Sequence, residues 1–128
     1  MKKIMFFLVI GNSLPFIAKA QLAATRWTAS VNIPDPTPCY LQFDKDTLRL
    51  FPVSTPGNAL ESMSYQLHND TITLVKLDGQ SPCSVGNAAH YKTIISEKEL
   101  KFLQLDDACD VRIQVLSNQT WTSWTTSK

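Results

Sequence analysis

Trp27, Ala29, Val31 and Ile33 alternate with Thr28, Ser30 and Asn32, and this period of two is what most limits the fold. Cys39, Leu41 and Phe43 alternate with Tyr40 and Gln42. Met63, Tyr65 and Leu67 alternate with Ser62, Ser64 and Gln66. Successive side chains of a strand point to opposite faces, so each run reads as a half-buried strand, apolar inward and polar outward. No comparably long window spaces its apolar residues at 3.6, so an all-β chain is expected.

Short turn signals separate the strands. The segments FDKDTLRL, LHNDTITL and ISEKELKF share one plan: an apolar strand end, a few polar turn formers, then a new strand. Asp and Asn hydrogen-bond their own backbone and tolerate turn conformations, which suits tight hairpins. The longer connections, 34–38, 52–59 and 78–89, are richer in Pro and Gly. Proline cannot donate to a ladder, so the first two end their strands. Strands are expected at 25–33, 38–43, 46–52, 61–68, 71–77, 89–96, 99–105 and 111–116, with 120–126 extending or closing the sheet. Closing such a meander into an up-and-down barrel of roughly eight strands removes its exposed edges. A β-sandwich is the alternative, but it needs crossovers longer than most of these loops.

Residues 1–20 read as an export signal. Lys2 and Lys3 precede a broken apolar stretch, and Ala18-Lys19-Ala20 fits the small-x-small cleavage pattern. Cleavage after Ala20 leaves residues 21–128 as a single domain, exported to the periplasm or medium without a membrane anchor. Removing Lys2, Lys3 and Lys19 leaves nine Lys plus Arg against eleven Asp plus Glu, a formal charge of −2. That balance lacks the clustered basic residues of a nucleic-acid or anionic-membrane binder.

Cys39, Cys83 and Cys109 leave one thiol over after any pairing. Three pairings, or none, are open in an oxidising compartment. The strand layout favours Cys83–Cys109, because the loop before strand 89–96 and the connection after strand 99–105 lie at one end of that hairpin. Cys39 then reads as a small buried thiol, with a dimer bridged through Cys39 as the alternative.

The order SPC…G…Y…L…DDACDVR…L…W resembles that of small secreted bacterial proteins of the lipocalin-like (calycin) group. The matching positions are Cys83, Tyr91, Leu100, Asp107, Cys109, Arg112 and Trp121. TRW at 25–27 resembles the Gly-x-Trp opening of a lipocalin first strand, with Thr25 where glycine is usual. The resemblance implies that Trp27 plugs one barrel end and that Arg112, from the last strand, lies over it as a structural lid.

LDDACDVR, residues 105–112, has the densest chemistry in the chain. Asp106, Asp107 and Asp110 lack the ligand spacing of a calcium loop. They read as a turn whose carboxylates cap backbone N–H groups. Cys109 as a nucleophile would need a positioned base, and His68 and His90 stand in no such pattern. No cofactor or metal is expected, and the chain reads as non-enzymatic. Two functions remain. The first is a binding module for a small apolar molecule in the barrel, with Trp27, Met63, Tyr65, Ile72, Leu74, Phe102 and Ile113 as interior candidates. The second is a protein-interaction or inhibitor module that meets an extracytoplasmic protein through loops 52–60 and 78–89.

Overall fold

The computed structural model describes residues 22–124; the export signal expected over 1–20 lies outside them. Eight strands form a closed antiparallel meander: β1 (Thr25–Asn32), β2 (Pro36–Phe43), β3 (Thr47–Pro52), β4 (Glu61–His68), β5 (Thr71–Gly79), β6 (Ala88–Ile95), β7 (Glu99–Asp106) and β8 (Trp121–Ser123). One helix, α1 (Asp110–Ser117), stands between β7 and β8. The barrel and its meander are those expected from period two.

The three short turns cluster at one end, as a meander requires. Asp44 N–H donates to Thr47 O, Ser96 N–H donates to Glu99 O, and Asn69 turns the β4–β5 hairpin at a positive φ of 57°. Asn accepts that left-handed conformation more readily than most residues. The other connections, 33–35, 53–60, 80–87 and the α1 segment, therefore share the opposite end, the mouth.

The interior is a packed core. Phe43, Leu48, Ile72, Leu74, Tyr91, Leu100, Phe102 and Trp121 are almost fully enclosed. Phe43 meets Tyr65 edge to face, as Tyr91 meets Phe102, an arrangement that suits the ring quadrupoles. Cys39 is buried among these residues.

Residues 111–116 are helical rather than the strand expected from the alternation of Val111, Ile113 and Val115. Tertiary contacts override propensity here. The slot between β7 and β1 is taken by β8, through Leu100↔Trp121 and Glu99↔Thr122 on one side and Trp27↔Ser123 and Thr28↔Thr122 on the other. Those pairs lie toward the short-turn end. Toward the mouth no strand among the described residues fills the seam between β7 and β1, and α1 occupies the path from Asp106 to Trp121. Its buried residues, Arg112 and Leu116, are four apart and so share one face.

Candidate functional site

The mouth carries two buried ion pairs and a cavity. The first pair belongs to the 105–112 segment. Asp107 sits with its side chain fully enclosed. Its Oδ2 accepts Arg112 Nε at 2.7 Å and its Oδ1 accepts Arg112 Nη2 at 2.9 Å. The Tyr91 hydroxyl also donates to Oδ2, and Cys109 N–H donates to Oδ1 at 2.8 Å. Burial works against this carboxylate's charge. The bonds from Arg112, Tyr91 and Cys109, with the guanidinium charge, still hold it below the ordinary carboxylate range. Burial and the hydrogen bond to Asp107 push the Tyr91 hydroxyl far above its usual range, so it stays a proton donor.

Cys83 and Cys109 are joined in a disulfide, with Cα atoms 5.4 Å apart. The bond ties loop 80–87 to the residue that opens α1. The pairing favoured by the strand layout is thus the one present, and Asp107 caps a backbone N–H as expected of the turn.

Arg112 stands on a helix, not on a last strand, and the pairing expected between Trp27 and Arg112 is not the one their side chains make. Arg112 is committed to Asp107 at the mouth. Trp27 lies two residues into β1 from the short-turn end, and its indole N–H donates to Thr25 Oγ1 at 2.9 Å. Among the described residues the guanidinium-over-ring contacts belong instead to Arg26, which lies over Tyr40 and Trp124 at 5.5 and 5.9 Å.

The second pair was not singled out in the sequence. Lys76 follows Ile72 and Leu74 on the inward face of β5, and Glu61 precedes Met63 and Tyr65 on the inward face of β4. Both are buried, with Lys76 Nζ 3.4 Å from Glu61 Oε2. Ser81 completes the group: its Oγ donates to Glu61 Oε2 at 2.6 Å, its N–H donates to Oε1, and Lys76 Nζ donates to its carbonyl at 2.8 Å. Gly79 admits the carboxylate, since a Cβ there would stand 2.2 Å from Glu61 Oε1. A charged residue in phase with an apolar strand face, on two neighbouring strands, was the available signal.

Between α1 and the mouth ends of β2, β3 and β4 lies a partly open cavity of about 490 Å³. Ile33, Leu41, Leu50, Leu60, Val115 and Leu116 supply most of its apolar wall; Met63, Glu61, Ser81, Cys83 and Arg112 also line it. Of the interior candidates, Met63 is on this wall. Tyr65, Ile72, Leu74 and Phe102 belong to the packed core with Trp27. Ile113 is half-buried on α1, away from the wall. Pro52, Leu60 and Gln80–Cys83 bring both long loops to the rim.

Other candidates are dispersed. His90 approaches Asp106 at 3.6 Å on the surface. Among the described residues no three His, Cys, Asp or Glu side chains form a metal-holding group. Comparison with models of known protein families, with curated proteins and with solved structures found no match.

Proposed function

We propose that the protein is an exported, non-enzymatic binding module of lipocalin-like type that holds one small, largely apolar molecule in the mouth cavity. The cavity itself carries this reading. Its size falls within the range of about 300–1,000 Å³ typical of small-molecule sites, and such sites are concave and mostly apolar. At the packing density of protein interiors it accommodates roughly twenty non-hydrogen atoms. The charged groups at its edge are engaged with one another, which suits recognition better than proton transfer. The disulfide fits an oxidising compartment, and the eight-strand closure is consistent with the lipocalin-like group.

The test is a fluorescence titration with N-phenyl-1-naphthylamine, an uncharged apolar probe. Saturable enhancement at one site per chain is expected; enhancement that never saturates, or none, overturns the reading.

A second reading, a module that binds an extracytoplasmic protein, draws on exposed Val53 and Val85 in the two long loops and on Leu77 beside them. The backbone amides of these residues are expected to exchange more slowly when a partner binds.

A further inference from the structure

The class of ligand follows from where charge lies around the opening, and this step rests on the proposed binding role of the cavity. Glu61 and Arg112, the charged residues that line it, are each committed to a buried partner, Lys76 and Asp107. Neither is free to act as counter-ion to a charged group inside, and burying a charge without one is costly. The cavity is partly open, so a charged head can stay in water while the apolar part of the same molecule is enclosed. The sign of that head is then decided by the charges at the opening.

Those charges are of one sign. Asp35, Asp78 and Asp110 are all exposed. Asp35 lies two residues from both Ile33 and Thr37, Asp78 lies two before Gln80, and Asp110 immediately precedes Val111; these four neighbours line the cavity. Successive Cα atoms are about 3.8 Å apart, so each aspartate Cα stands within about 8 Å of a wall residue. Among the described residues, the Lys and Arg side chains that reach solvent belong to the other end. Arg26, Lys45, Arg49, Lys92, Lys98 and Lys101 all lie toward the short turns, where Asp44 meets Arg49 and Asp70 meets Lys92. His68 ends β4 at those turns, and His90 approaches Asp106. The mouth's own Lys76 and Arg112 are buried and spoken for, so Asp35, Asp78 and Asp110 stand uncompensated.

From this asymmetry we infer that the cavity takes a cationic amphiphile, with an apolar chain or ring system inside and an ammonium group at the solvent opening beside Asp35, Asp78 and Asp110. Low-dielectric walls lined by one sign of charge concentrate the field at a cleft, which draws in a cation and turns away an anion. An anionic amphiphile of the same length matches the apolar wall but not the opening.

The experiment compares decyltrimethylammonium with decanoate at about pH 7.5, each displacing N-phenyl-1-naphthylamine from the full chain. In about 20 mM salt the cation is expected to bind about tenfold or more tightly than the anion. In about 500 mM salt that ratio should fall about fivefold or more, because exposed charges are then screened. Decanoate binding as tightly as the cation at low salt, or a ratio indifferent to salt, overturns the inference while leaving the binding role intact. If neither amphiphile displaces a probe that does bind, the inference fails; if the probe itself does not bind, the cavity reading fails with it. Two triple variants separate the opening from the net charge. Asp35→Asn with Asp78→Asn and Asp110→Asn is expected to lower the low-salt ratio about fivefold or more. Asp46→Asn with Glu97→Gln and Glu99→Gln removes as much charge from the short-turn end and should change it by less than about twofold. An unchanged ratio in the first variant, or an equal fall in both, overturns the role given to the opening.

Discussion

Asp107 grips Arg112 with both carboxylate oxygens, at 2.7 and 2.9 Å, and so fastens the first turn of α1 to the end of β7. The contact is sheltered from solvent on both sides. Its removal from one side is therefore more damaging than the loss of a surface ion pair. Asp107→Ala is expected to lower stability by about 3–5 kcal/mol, because a buried guanidinium is left uncompensated. Replacing both residues, as Asp107→Leu with Arg112→Met, should cost markedly less than the single change. Urea unfolding of the three variants checks both statements; a single variant as stable as the parent would contradict them.

The same network sets a dependence on pH. The Asp107 carboxyl is held below its ordinary value of 3.8, so the folded state binds its proton less readily than the unfolded chain does. Its contribution is complete above that value and is lost as pH falls through the folded pKa. The opposite limb comes from groups whose folded values are raised. Burial lifts Cys39 above 9.0, and burial lifts Tyr65 and Tyr91 above 10.0. Their contribution is complete below those values and declines as pH rises past them, since only the unfolded chain then ionises freely. Stability against urea is expected to be flat from about pH 5 to 8 and to fall on either side. In Tyr91→Phe the alkaline decline should be shallower.

The disulfide closes a loop of 26 residues in sequence separation between the rim loop and the start of α1. Cys83→Ser with Cys109→Ser is expected to lose about 3–4 kcal/mol on the chain-entropy estimate. Amide exchange should accelerate more in α1 and in 80–87 than in β2–β5, whose ladders do not depend on the bond. Uniform acceleration would mean that the clasp acts on the whole domain rather than on the mouth.

Much of this molecule was legible before its coordinates. Period two and Asn/Asp turns place β4 at its observed bounds and most other strands within two residues, because each hairpin is specified locally. The Cys83–Cys109 bond followed from which loops share an end. Residues 110–117 were not legible, because Val111, Ile113 and Val115 alternate as a strand would. Their helix is imposed by the occupied seam, by Asp107 and by the disulfide. The cavity was equally hidden. It depends on where α1 settles across the mouth, while the interior candidates Tyr65, Ile72, Leu74 and Phe102 pack against one another. Glu61 and Lys76 were visible as charges in an apolar phase, but their pairing required the β4–β5 register.

That register makes Gly79 sensitive. It has a φ of +144°, and an added Cβ would stand 2.2 Å from Glu61 Oε1 and 2.7 Å from Leu60 O. Gly79→Ala is expected to cost about 1–3 kcal/mol of stability from backbone strain alone. It should also displace the Glu61 carboxylate, so amide resonances of Ser81 and Lys76 are expected to shift. A silent substitution would show that the carboxylate has other room.

Val115 offers the cleanest separation of binding from stability. It lies on the cavity side of α1 and is only partly buried, whereas Leu116 is enclosed in the core. A phenyl ring at position 115 can extend into the cavity without a matching demand on the packed interior. Overpacking a filled core typically costs about 1–3 kcal/mol, but enlargement into open space avoids most of that strain. Val115→Phe is thus expected to keep the parent's urea midpoint closely and to weaken N-phenyl-1-naphthylamine by about tenfold or more. Val53→Ser, on the rim and outside the cavity wall, should leave probe affinity unchanged. Equal loss in both variants would move the probe's site out of the cavity and onto the exposed loops.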